Sequence, residues 1–288
     1  MGIIMKGHLL AIFTILCWGA TFVSTKVLLT DFTPIEILIT RFSIGLTILY
    51  IIRPQKLKLR HEVHRKYLVL AALSGITLYY LMENLALTYT YASNVGIISS
   101  TAPLFAAILA SFVLRKHRLN GPFFIGFIVA ITGIIFIALE ESHLNINPKG
   151  DILALTGAVL WAVYAVVLKK ICNFGYDMII ITREIFLYGI ILMIPAIIYM
   201  GYDVDLIHLL KPVNLANMLY LGICASAICF ITWNFATKYL GVVKTTAYIY
   251  ASPVVTVIIA YIFLGEPISM YKVIGMVLAI LGLIISQK

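Results

Sequence analysis

Charge is scarce in this chain: of 288 residues only 11% are Asp, Glu, Lys or Arg. Histidine is scarcer still where it would matter. His8, His61, His64, His117, His143 and His208 all lie in hydrophilic connections or at the ends of apolar runs. A membrane metalloprotease, a haem protein or a histidine proton relay needs imidazoles within the apolar segments, so these classes are disfavoured. HExxH, a Walker-type loop and GxGxxG after a strand are all missing, which removes the usual signatures of zinc hydrolases, nucleotidases and dinucleotide enzymes. The four cysteines (Cys17, Cys172, Cys224, Cys229) show no CxxC spacing and fall mostly in apolar sequence. They read as packing residues, not as disulfides or metal ligands. No metal, no cofactor and no enzymatic activity is expected.

Apolar surface is abundant instead: 62% of residues are hydrophobic and the mean hydropathy is +1.05. No soluble core needs that much, whereas a polytopic membrane protein does. A spanning helix takes about 20 apolar residues. Ten spans are predicted, over 8–29, 34–52, 67–89, 94–114, 122–139, 151–170, 177–199, 214–236, 243–264 and 270–286. The first is not read as a signal peptide. It is too long, lacks a small-residue cleavage site, and carries a Trp18 that recurs later as Trp161.

The net charge of +9 reads as orientation. Placing both termini in the cytoplasm puts fifteen Lys/Arg on that side, including the run Arg53–Lys66 and Arg115, Lys116 and Arg118. Four lie outside (Lys26, Lys149, Lys211, Lys272), and Arg41 and Arg183 fall within spans. That asymmetry follows the positive-inside rule. The basic runs are short loops tied down at both ends, so nucleic acid is not an expected partner; the lipid bilayer is.

The chain also repeats itself. A shift of 150 superposes Asn84 on Asn234, Ala86 on Ala236, Tyr89 on Tyr239, Pro103 on Pro253 and Ala110 on Ala260. A shift of 143 pairs Gly7 with Gly150, Trp18 with Trp161 and Lys26 with Lys169. The expected fold is therefore an all-α membrane protein of ten helices in two five-helix repeats, residues 1–143 and 144–288. An odd number of spans per repeat inverts the second copy, the arrangement used for alternating access about a midplane site.

Charge inside a bilayer costs about 2.5–3.5 kcal/mol at a helix centre on insertion scales, so each instance asks for a reason. Glu83 is the most central acid. Tyr79–Glu83 and Tyr80–Asn84 form adjacent i,i+4 rows, and a carboxylate there could bind a proton or a substrate amine, or simply brace a neighbouring helix. Arg41 and Arg183 occupy matching places. Structural pairing with Glu36 and Glu184 is the favoured reading, and a carboxylate or phosphate fork the other. Lys26 and Lys169 sit near helix ends, where snorkelling accounts for them.

Asn84 and Asn234 put amides at equivalent depths. Ser99, Ser100 and Thr101 before Pro103 become Ile249, Tyr250 and Ala251 before Pro253, and Glu83 becomes Trp233. One side of a central cavity would be polar and the other aromatic, which suits a zwitterion with an apolar side chain. Pro103 and Pro253 remove a backbone donor in mid-span, either as hinges or as static kinks. Tyr248 lies deep enough to join the lining. The seven-residue spacing of Gly126, Gly133, Gly275 and Gly282 reads as close packing of the fifth and tenth spans or across a dimer.

Several of these features resemble the EamA-type branch of the drug/metabolite transporter superfamily. They are Trp18-Gly19 followed by Lys26, then Arg41-Phe42, then Ala102-Pro103-Leu104-Phe105. The second copy adds Ala251-Ser252-Pro253-Val254, Leu264-Gly265-Glu266-Pro267 and Gly275…Gly282. The first copy departs from the pattern, with Leu114-Arg115-Lys116 in place of Leu-Gly-Glu. The resemblance implies ten helices around a cavity between two halves, and export or exchange of small metabolites, often amino acids. The expectation is a monomeric or homodimeric secondary transporter of the inner or plasma membrane. Its substrate site would be Trp18, Tyr79, Tyr80, Glu83, Asn84, Ser100, Thr101, Trp233, Asn234, Tyr248 and Tyr250, with Glu83 coupling protons and Pro103 and Pro253 flexing. The alternative is a membrane-embedded enzyme acting on a lipid or isoprenoid-linked substrate, with Glu83 as base. Cavity shape discriminates: an opening to water favours transport, a lateral groove the enzyme.

Overall fold

A computed structural model of the chain describes residues 2–114, 120–140, 148–266 and 268–286. Arg115, Lys116, His117, Arg118, Glu141, His143, Pro267, Lys288 and the 143/144 repeat boundary lie outside the described residues.

Its helices are α1 (Ile3–Leu28), α2 (Pro34–Ile52), α3 (Val63–Tyr89), α4 (Ala92–Val113), α5 (Gly121–Glu140), α6 (Lys149–Cys172), α7 (Met178–Met200), α8 (Pro212–Leu240), α9 (Val242–Leu264) and α10 (Met270–Ser286). Eight of them, α1–α4 and α6–α9, are long and apolar enough to cross a membrane. In α5 and α10 the apolar stretches are shorter, Gly121–Gly133 and Val273–Ser286. The protein is thus an all-α multi-pass membrane protein. Its outer faces carry Phe112, Ile198, Ile262 and Phe263 in the open, as lipid-facing helices do and water-facing ones rarely do.

Local chemistry sets the helix starts. At α2, Thr33 caps the helix by accepting from the Glu36 N–H at 3.4 Å, while the Thr33 N–H donates to Glu36 Oε2 at 2.7 Å, and Pro34 opens the first turn. Glu36 Oε1 also accepts from the Asp203 N–H at 3.2 Å. Glu36 is therefore spent on the helix end, and the expected pairing of Arg41 with Glu36 is not formed.

The centre is built by exchange between the two copies. α1 packs on α8 and α9, while α6 packs on α3 and α4. Within α3 and α8 the helix widens to π geometry, over Leu73–Leu78 and Tyr220–Ile228, and these segments end at positions 150 apart. In α4 and α9 the helix tightens instead, through a turn at Ser100-Thr101 and a 3₁₀ segment at Ala247–Ala251. Pro103 and Pro253 each stand second in the helix that restarts beyond that break. Both prolines lie in mid-span, as expected from the sequence; each sits in the first turn of the restarted helix, where its missing N–H costs little, and the irregularity lies just before it.

α5 and α10 pair through glycine. A Cβ on Gly282 would stand 2.5 Å from the Gly126 carbonyl oxygen and 2.6 Å from Ala130 Cβ, so this face admits hydrogen only. Gly-to-Ala in an open helix gains up to about 1 kcal/mol. At this contact, overpacking reverses the sign by about 1–3 kcal/mol. Gly282→Ala is expected to lower the melting temperature in detergent, whereas Gly121→Ala, with nothing within 4 Å, is not. Equal melting of the two variants would show that the helices part without cost.

Candidate functional site

A cavity lies where α1, α3, α4, α6 and α9 meet. Trp18, Tyr79, Tyr80, Glu83, Ser99 and Trp161 contribute to its wall. The repeat-related Trp18 and Trp161 face each other edge to face, with centroids 5.2 Å apart, and Trp233 tilts against Trp18 at 5.0 Å. Trp18 is fixed by its indole N–H, which donates to the Ala225 carbonyl at 2.9 Å. That carbonyl belongs to the π segment of α8, where the widened turn leaves backbone acceptors free for a side chain.

The Tyr79–Glu83 row on α3 closes as expected: the Tyr79 hydroxyl donates to Glu83 Oε2. Glu83 Oε1 is buried without a hydrogen-bond partner among the described residues. Arg41 is fully buried; its Nε donates to Ser226 Oγ at 3.1 Å, and Nη1 and Nη2 have no hydrogen-bond partner among the described residues. The guanidinium lies over the Tyr80 ring at 4.6 Å and near Phe42 at 5.2 Å. A buried charge with two unused donors is costly, by several kcal/mol when nothing compensates it. Arg183, at the matching place in the second copy, has both terminal nitrogens bonded, and only its Nε is buried without a partner among the described residues. It pairs with Glu184 at 2.7 Å and donates to the Arg53 carbonyl at 2.5 Å.

The other expected site residues separate into two groups. Asn234 accepts from the Tyr164 hydroxyl at 3.0 Å and donates to Thr182 Oγ1 at 2.7 Å, so its amide is used in packing. Ser100 and Thr101 donate to the carbonyls of Ile97 and Ile98 at 2.6 and 2.7 Å, closing the break before Pro103, while Ser99 reaches the cavity wall. Tyr248 bonds His8 at 2.6 Å, away from that wall. Asn84 donates to the Pro34 carbonyl at 3.3 Å, leaving Oδ1 unpartnered. The Trp161 and Trp233 indole N–H groups and the Tyr250 hydroxyl are likewise buried and unpartnered among the described residues. Sequence reasoning set Arg41 aside as structural and passed over Trp161. The pairing expected for Arg41 rested on a nearby acid on the same helix, and Trp161 could have been found from Trp18 by repeat symmetry.

Two further placements bear on the sequence reading. Lys26 does not reach for the interface; its Nζ donates to the Leu87 and Thr90 carbonyls at 2.6 and 2.9 Å, tying α1 to the end of α3. Gly265 ends α9 at φ 67°, a left-handed turn that suits glycine, and the following Glu266 accepts from Ser93 Oγ on α4.

Eight apolar spanning helices around a small polar-and-aromatic cavity define a membrane transporter for small molecules, the class to which this chain's relatives also point. The EamA-like transporter family model matches residues 5–139 and again 148–287, and the chain belongs to that family, within the drug/metabolite transporter superfamily. It is 29% identical to an uncharacterized transporter of Archaeoglobus fulgidus, over 96% of each chain. It is 24% identical to a probable terminal-alkyne amino-acid exporter of Streptantibioticus cattleyicolor, over 96% of this chain and 92% of that one. A crystal structure at 18% identity superposes with TM-score 0.74, covering 98% of this chain and 96% of its own, and shows the shared fold.

Proposed function

We propose that the protein moves amino acids, or amphipathic metabolites of the same zwitterionic build, by alternating access between two inverted five-helix halves. In this reading the repeats are residues 1–143 and 144–288, all ten helices span, both termini are cytoplasmic and the membrane is the inner or plasma membrane. The observation that carries it is a pair of partly unused groups: Arg41, behind the wall residue Tyr80, has two terminal nitrogens without partners among the described residues, and Glu83, in the wall, one such oxygen. Arg41 offers a planar fork of donors for a carboxylate, and Glu83 an acceptor for an ammonium. Trp18, Tyr79, Tyr80 and Trp161 supply the apolar wall. Trp233 packs against Trp18 and Trp161 of that wall, Asn84 and Tyr250 are the chain neighbours of the wall residues Glu83 and Ile249, and Ser100, Thr101, Asn234 and Tyr248 hold the helices that bear it.

The cavity is about 40 Å³, which is room for about two or three waters. Small-molecule sites run to about 300–1,000 Å³. A substrate therefore enters only when the halves part, moving Tyr80 off the guanidinium. The breaks before Pro103 and Pro253 are where little helical hydrogen bonding opposes that motion. The relative described as a probable terminal-alkyne amino-acid exporter supports the substrate class.

A lateral groove of about 590 Å³ does run between α1, α8 and α9, but its wall, with Val23, Ser24, Asn217, Tyr220 and Phe263, holds no carboxylate or imidazole to act as a base. The enzyme reading gains nothing from it.

Counterflow of a labelled amino-acid panel in proteoliposomes tests the proposal. Uptake above empty liposomes is expected, weakened about 3- to 30-fold by Asn84→Ala, the equivalent of a membrane hydrogen bond of about 0.6–2 kcal/mol. A flat panel with folded protein would remove amino acids as the substrate class.

A further inference from the structure

We propose that Cys17, Cys224 and Cys229 form a three-thiol site for a thiophilic centre that takes three sulfur ligands, with trivalent arsenic the species they fit best. The three sulfurs lie within 4.8 Å of one another, and those of Cys17 and Cys224 are 3.7 Å apart. All three are free thiols. The sequence gives no hint of this. Cys224 and Cys229 are five residues apart, and on an α-helix that spacing turns two side chains about 140° from each other. Cys224 stands inside the π segment Tyr220–Ile228 and Cys229 directly after it. A π turn bonds residues five apart, so the spacing that separates them on an α-helix stacks them here. Cys17 meets them from α1, which packs along α8.

Distances and charge narrow the occupant. Metal–thiolate bonds of about 2.3 Å place sulfurs about 3.3 Å apart at a right-angled pyramidal centre and about 4.0 Å apart at a trigonal planar one. The observed 3.7 Å lies between these limits. Zinc wants a fourth ligand. Copper(I) on three thiolates would leave two negative charges within an apolar span, which is expensive there. Trivalent arsenic leaves none. Arsenous acid reacts with three thiols by exchange: three As–O and three S–H bonds break, three As–S and three O–H bonds form, and three waters leave. Arsenic remains trivalent, so no oxidant or reductant is needed. Arsenous acid is uncharged and can arrive through the lateral groove, whose wall includes Ala20 and Tyr220, each one turn from a half-buried thiol, Cys17 and Cys224.

The test is arsenite titration of the purified full-length protein, followed by tryptophan fluorescence from neighbouring Trp18 and by arsenic-edge X-ray absorption. One arsenic per chain bound by three sulfurs and no oxygen is expected. Cys17→Ser, Cys224→Ser and Cys229→Ser should each weaken binding more than about 100-fold, beyond the cost of losing a merely supporting partner, with melting temperatures kept. Cys172→Ser should bind as the parent does. Retained binding in any of the three variants, an As–O bond in the spectrum, or preference for zinc or copper(I) over arsenite in competition would overturn the assignment.

Discussion

Arg41→Met is expected to end amino-acid counterflow while leaving the melting temperature unchanged or higher. The side chain is fully buried, and two of its three nitrogens have no partner among the described residues. A buried guanidinium whose terminal donors are unused carries a desolvation cost that no bond repays, and a carboxyl such as Glu83 that loses a nearby cation can neutralise by taking up a proton, so removing Arg41 alone should cost little stability. A residue retained at that cost for packing alone would destabilise the protein when replaced; one retained for a ligand would not. Methionine keeps the contacts of the stem with Phe42 and Tyr80 and removes the fork. Arg41→Lys keeps the charge but not the planar pair of donors, so uptake should persist with a weaker apparent affinity. If Arg41→Met unfolds the protein, or transports normally, Arg41 is not the carboxylate ligand. Arg183 supplies the contrast: its guanidinium is already bonded to Glu184 and to the Arg53 carbonyl, so Arg183→Met should lower stability.

Glu83→Gln should abolish accumulation driven by a pH step yet leave counterflow exchange in place at a weaker apparent affinity, because the amide oxygen still accepts from an ammonium but carries no charge. The Tyr79 hydroxyl holds one carboxyl oxygen, and the other is free to carry a proton or meet an amine. With one proton moved per substrate, a step of one pH unit can sustain about tenfold accumulation, because each factor of ten is worth about 1.4 kcal/mol. Glutamine cannot titrate, so the variant should equilibrate its substrate and go no further. Accumulation that responds to pH as in the parent would end the coupling role of Glu83. Loss of counterflow as well would make Glu83 a substrate ligand only.

Composition and period alone were enough to read the membrane class, the positions of the long apolar helices and the duplication, because bilayer thickness imposes one length on every span and copied helices keep their apolar faces. Trp18, Tyr79, Tyr80 and Glu83 could be named in advance because i,i+4 spacing and repeat position survive in any α-helix. The sites that escaped did so where the helix departs from α geometry or where a distant partner settles a side chain's role. Asn84 and Asn234 look alike in sequence; Tyr164 and Thr182, from two other helices, satisfy the second, while the first keeps a free oxygen. Arg41 has a glutamate five residues away in sequence, but a capping box claims that acid and leaves the guanidinium to Ser226 and the Tyr80 and Phe42 rings. Cys224 and Cys229 share a face only because α8 widens there. Hydropathy and periodicity are properties of one segment and are written in it. Which buried polar atoms end up with a partner, and which are left facing a cavity, depends on the other helices, and only their packing decides it.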